Sequence, residues 1–161
     1  MVRAPVWLLV LLTLGASTGC GPNVDLRKGL QINTVSSGWF DAGLVDGKNK
    51  LVPSVTFTLK NVSDQALPQL QVNALFRRET EKDEWGSGFL TVAGTGGLQP
   101  GATTDQLTIR SQLGYTGTEP RQDMLKNSQF VDAKVELFAK YGSAQWQRLG
   151  EYPITRQLIA K

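Results

Sequence analysis

From residue 55 onward the chain repeatedly alternates apolar and polar positions. In Val55-Thr56-Phe57-Thr58-Leu59-Lys60 the apolar side chains fall on odd positions and the polar ones on even, the period-2 signature of a half-buried strand. Asn61-Val62-Ser63-Asp64-Gln65 reads as a turn. The return strand sets Leu70, Val72, Ala74 and Phe76 against Gln69, Gln71 and Asn73, so the two runs predict a β-hairpin. A charged tip, Arg77 to Glu84, leads to a weaker strand from Trp85 to Val92. Leu98-Gln99-Pro100-Gly101 predicts a turn, since proline presets φ and glycine accepts a positive one. Leu107, Ile109 and Leu113, with Thr108 and Arg110 between them, predict another strand. Between Gly114 and Gln129 the alternation stops, and Pro120 fits the first turn of one short helix. It returns in Ala133, Val135, Leu137, Ala139 and Tyr141, turns at Gly142-Ser143, and ends in a strand through Trp146, Leu149, Tyr152 and Ile154, with a bulge expected near Gly150.

About seven short strands with almost no helical period predict an all-β fold, an immunoglobulin-like antiparallel β-sandwich, with a small barrel as the alternative. Val55 to Ser63, the strand from Leu70 to Phe76 and the Leu98-Gln99-Pro100-Gly101 turn resemble the immunoglobulin-like modules of bacterial envelope proteins, of the FxLYD or CARDB type. That resemblance implies a structural or adhesive unit and transfers no catalytic residue.

The N-terminus follows a different pattern. Arg3 precedes an apolar run from Val6 to Leu14, then the small residues Gly15-Ala16-Ser17-Thr18-Gly19, then Cys20. This is the grammar of a secretory signal peptide, and the apolar run is shorter than the roughly 20 residues a spanning helix needs. Ser17-Thr18-Gly19-Cys20 resembles the lipobox of bacterial lipoproteins, although Ser17 stands where that family usually has leucine. The resemblance implies cleavage between Gly19 and Cys20, with a covalent lipid on Cys20 and attachment to the membrane. Ordinary cleavage near Ala16 or Ser17, leaving Cys20 as a free thiol, is the alternative. In lipoproteins of this kind an aspartate after the cysteine retains the protein at the inner membrane. Gly21 stands there instead, which implies the bacterial outer membrane, facing the periplasm. The organisation expected is therefore a signal peptide at 1–19, a short tether at 20–28 and one sandwich domain at 29–161.

Composition narrows the chemistry. The chain has no histidine and a single cysteine, which rules out Ser-His-Asp and Cys-His catalysis and nearly every tight zinc or copper site. With one cysteine no internal disulfide forms, so burial must hold the domain together. Lysines and arginines number 17 against 14 acids, and Arg3 leaves with the signal peptide, so the domain carries only about +2, with no basic stripe for nucleic acid. Glu79, Glu81, Asp83 and Glu84 lack calcium-loop spacing and read as a solvated loop. Gly94-Thr95-Gly96-Gly97 lacks the Gly-Lys-Ser/Thr of a phosphate loop and reads as a connection between strands. No metal, no cofactor other than the lipid, and no enzymatic activity are expected.

Two residues break the clean alternations. Leu75 and Phe138 point to faces that should be polar, and with Arg77, Arg78 and Trp85 they form a candidate partner patch. The bland alternative is that a loop or the second sheet covers them. The functions expected are a non-catalytic envelope lipoprotein binding or scaffolding another envelope protein, a lipoprotein component of a secretion or assembly machine, or a carrier of a small molecule or lipid.

Overall fold

The computed structural model describes residues 23–159, so the expected signal peptide, Gly19 and Cys20 lie outside the described residues. The strands β1 (Leu30–Val45) and β2 (Lys48–Asn61) make one long antiparallel hairpin. Asp46 and Gly47 join them, both at positive φ (50° and 74°), as a two-residue turn matching the strand twist requires. Register shifts between Asn33 and Ser36 and between Asp41 and Leu44 interrupt β1. The first of these moves the inward positions from even numbers, at Leu30 and Ile32, to odd ones, at Ser37 and Trp39.

Six further strands follow: β3 (Gln71–Arg78), β4 (Gly86–Thr91), β5 (Leu107–Arg110), β6 (Tyr115–Gly117), β7 (Ala133–Lys140) and β8 (Gln147–Pro153). A last short strand, β9 (Leu158–Ile159), runs parallel to β1. Sheet one has the order β5-β2-β1-β9 with β6 also on β2, and sheet two has the order β4-β3-β7-β8. Seven of these strands, β1, β2 and β5 against β4, β3, β7 and β8, make an immunoglobulin-like Greek-key sandwich, to which β6 and β9 are short edge additions.

The hairpin expected between Val55–Lys60 and Leu70–Phe76 is not formed. β2 pairs with β1 and β5, whereas β3 pairs with β4 and β7 in the other sheet. The segment between them buries Leu67 and Leu70 and turns at Gln69, which has a φ of 50°. The apolar faces of β2 and β3 consequently meet across the core instead of lying side by side.

Local chemistry explains the breaks. Pro53, in the middle of β2, has no N–H to offer the neighbouring edge, and that edge strand splits there: β5 ends opposite Ser54 and β6 resumes opposite Leu51. Leu113, expected in this strand, lies in the gap and is exposed. The expected bulge in the last hairpin is present, as a register shift between Leu137 and Phe138 opposite Gly150 and Arg148. Pro120 directly precedes the short helix α2 (Arg121–Met124), and Met124 and Leu125 are buried.

The core is made by Val55, Phe57 and Leu59 from sheet one against Val72, Ala74, Phe76, Val135, Leu137 and Ala139 from sheet two. Part of the expected tether joins it. Asp25 caps a one-turn helix, α1 (Leu26–Gly29), by accepting from the Arg27 N–H, and Leu26 is completely buried. Burying a leucine is worth about 1.5–3 kcal/mol, enough to hold this segment against the domain. Only a few residues then separate Cys20 from the fold.

Candidate functional site

The outward side of sheet two carries the residues of interest. Leu75, Arg77 and Phe138 occupy outward positions of β3 and β7, with Leu75 paired to Glu136 and Asn73 to Phe138. Leu75 and Phe138 are half-buried, so neither reading of them is extreme: they are partly covered and still reach the surface. The other two predicted members lie elsewhere. Arg78 has the opposite strand parity, and its guanidinium sits 5.5 Å from the Trp85 ring while it pairs with Glu81.

Trp85 belongs to an aromatic cluster at the far end of the sandwich. Its ring centroid is 5.0 Å from Tyr115 and 6.2 Å from Trp39. Trp39 is fully buried and also meets Phe130 edge-on at 4.6 Å. This packing makes Trp85 a structural residue, and the five-residue patch is divided between two surfaces.

Two aromatics outside the expected partner patch share the outward face of sheet two. Phe89 pairs with Asn73 from β4 and is 57% exposed. Trp146, in the turn before β8, is 39% exposed and meets Phe89 edge-on at 6.3 Å. Lys140 places its ammonium 5.2 Å from the Trp146 ring. The signal for Phe89 was present in Gly86-Ser87-Gly88-Phe89-Leu90, but only the pairing with β3 settles which of its neighbours faces water.

Beside these rings runs a chain of ion pairs. Glu136 accepts from Arg77 Nε at 2.9 Å and from Arg148 Nε at 2.8 Å. Arg148 also pairs with Glu151 at 3.2 Å, and Lys134 reaches the same carboxylate at 3.4 Å. Glu136 and Glu151 stand directly opposite each other on β7 and β8, so the cations offset a like-charge pair. Hydrogen bonds from Arg77 and then Arg148 hold the Glu136 carboxyl below its usual range, against an opposing desolvation effect. Arg77 is thus already engaged within the domain.

The chain from Cys20 enters the fold next to this face. The Val24 N–H donates to Tyr141 Oη at 2.6 Å, and the Leu26 N–H donates to Gln147 Oε1 at 2.9 Å. Tyr141 and Gln147 bracket the turn that carries Trp146.

The fold defines an all-β protein of two packed sheets, immunoglobulin-like in connection. Of solved structures, the chain is similar to the X-ray structure of Northeast Structural Genomics Consortium target SoR45, with 16% sequence identity, a TM-score of 0.45, and coverage of 80% of this chain and 88% of that one. No protein-family model and no curated protein matches the chain.

Proposed function

We propose that this protein is a non-catalytic lipoprotein of the bacterial envelope, anchored through a lipid on Cys20 and acting as a binding or scaffolding module for another envelope protein. The observation that carries this reading is the outward face of sheet two. An outward sheet face is normally polar, yet this one presents Phe89 and Trp146 exposed and Leu75 and Phe138 half-exposed, close to where the anchored chain enters. The absence of histidine and of a second cysteine from the sequence supports a binding role over catalysis. The small-residue run before Cys20 and the Gly21 that follows it support an outer-membrane location facing the periplasm.

The test is a photo-crosslinking amino acid at position 138 in living cells, followed by identification of what it captures, alongside a Phe138→Asp variant. Capture of an envelope protein that Phe138→Asp loses at least tenfold, with thermal stability unchanged, supports the proposal. One dedicated partner would make the protein a component of an assembly or secretion machine. Unchanged partners and unchanged stability in Phe138→Asp would overturn this face as the binding surface.

A further inference from the structure

Trp146, Phe89 and Lys140 form an aromatic corner with a cation above it, at the end of the sandwich where the N-terminal chain arrives. Gln147, next to Trp146, accepts from the Leu26 N–H, and its amide donates to the Val24 carbonyl at 3.5 Å. Val24 lies four residue steps from Cys20, a span of at most about 14 Å even when fully extended. A lipid on Cys20 would place its glycerol at the boundary of hydrocarbon and headgroups, and the headgroup layer is itself about 5–8 Å deep on each side. Even a fully stretched tether would hold Val24 at most about 6–9 Å beyond the headgroup layer, and any slack brings the Trp146 corner within reach of the headgroups.

We infer that this corner is a membrane-contact site: Trp146 inserts into the headgroup layer of the anchoring bilayer, Phe89 supports its ring, and Lys140 meets anionic lipid phosphates. The inference rests on the proposed lipid anchor and adds an orientation to it. Trp has an apolar body and one N–H donor, which suits a layer that is apolar on one side and wet on the other. Lys140 supplies a charge complementary to anionic headgroups, and Arg148, also on this face, already answers Glu136 and Glu151. The exposed Val62, whose N–H donates to the Gly29 carbonyl, adds apolar surface at the same end. Phe138 shares a row across the sheet with Phe89 through Asn73 and so borders this contact, whereas the face from there toward Leu75 stands away from the bilayer and remains open to a protein partner.

The experiment uses protein purified from cell membranes, with its mass at Cys20 measured first, and reconstituted in vesicles containing phosphatidylglycerol and a lipid brominated high on its acyl chain. The expected result is partial quenching of tryptophan fluorescence by the brominated lipid. That component is absent in Trp146→Phe, because Trp39 is buried and Trp85 lies in the aromatic cluster at the other end. Lys140→Gln should lower the docked-to-undocked ratio by about fivefold in phosphatidylglycerol vesicles, and much less in purely zwitterionic ones. Lipidated protein whose quenching is absent, or is equal in wild type and Trp146→Phe, overturns the contact site and leaves the anchor standing. So does lipidated protein in which a crosslinker at position 146 captures protein and no lipid. An unmodified Cys20 overturns the anchor and this inference together.

Discussion

Glu136 shares its carboxylate between two guanidinium groups, and its side chain is only 16% exposed, so its pair with Arg77, 23% exposed, is better shielded from solvent than most surface pairs, while Arg148, 49% exposed, adds a more screened one. Glu136→Gln should lower the unfolding free energy by about 1–2 kcal/mol at neutral pH, as measured by urea denaturation. The folded-state pKa lies below the ordinary value of 4.5, so this stabilisation is complete above about pH 4.5 and is lost as the pH falls through the folded-state value. The gap between wild type and Glu136→Gln should therefore close on acidification; a gap that is constant from neutral to strongly acidic pH would contradict the assignment. Asn61 illustrates what residue-level reading misses. Its sequence context marks a turn, yet the residue ends β2 fully buried and organises the following loop through its side chain. Its amide donates to the carbonyls of Gln65 and Leu98, and its Oδ1 accepts from the Ser63 N–H and hydroxyl. Turn propensity reports that an asparagine bonds nearby backbone, but the carbonyl of Leu98 is 37 residues away and is supplied only by the fold.

At the scale of elements, the strands read most easily from sequence are those with one face in the core and one toward water. β3 and β7 alternate without interruption, and their inward sets Val72-Ala74-Phe76 and Val135-Leu137-Ala139 are buried as expected. β1 is harder to read because its bulges reset the parity, so Trp39, the largest core side chain, falls out of phase with Leu30 and Ile32. Alternation also identifies a face without identifying a partner, which is why β2 and β3 read as a hairpin although they belong to opposite sheets. Where β4 passes β5 of the other sheet, the approach is close enough to demand glycine. A Cβ on Gly88 would lie 2.3 Å from Ile109 Cγ2 and 2.8 Å from the Arg110 carbonyl oxygen. The second of these is backbone and cannot rotate away. Gly88→Ala should therefore destabilise the domain by about 1–3 kcal/mol in equilibrium unfolding, and a neutral result would mean that the sheets separate at that edge without cost.

For the whole molecule, the fold determines which residues act together. The sequence placed Leu75, Arg77, Arg78, Trp85 and Phe138 in one patch, but neighbouring strand residues point to opposite faces, so Arg77 and Arg78 cannot both join it. Phe89 in β4 and Trp146 in the turn before β8 take the vacated places, 57 residues apart in the chain, a juxtaposition that no local pattern encodes. The position of the N-terminal segment ties this face to the proposed anchor: with Leu26 buried and Val24 held by Tyr141, the corner at Trp146 is the part of the domain where the chain from Cys20 enters. That arrangement depends on Cys20, and Cys20→Ser should move the protein from the membrane fraction to the soluble fraction. The most direct measurement is the intact mass and N-terminal peptide mass of mature protein extracted from cell membranes. The account predicts a chain beginning at Cys20 with a diacylglyceryl and acyl mass increase. A terminus near Ala16 with an unmodified Cys20 thiol would contradict it.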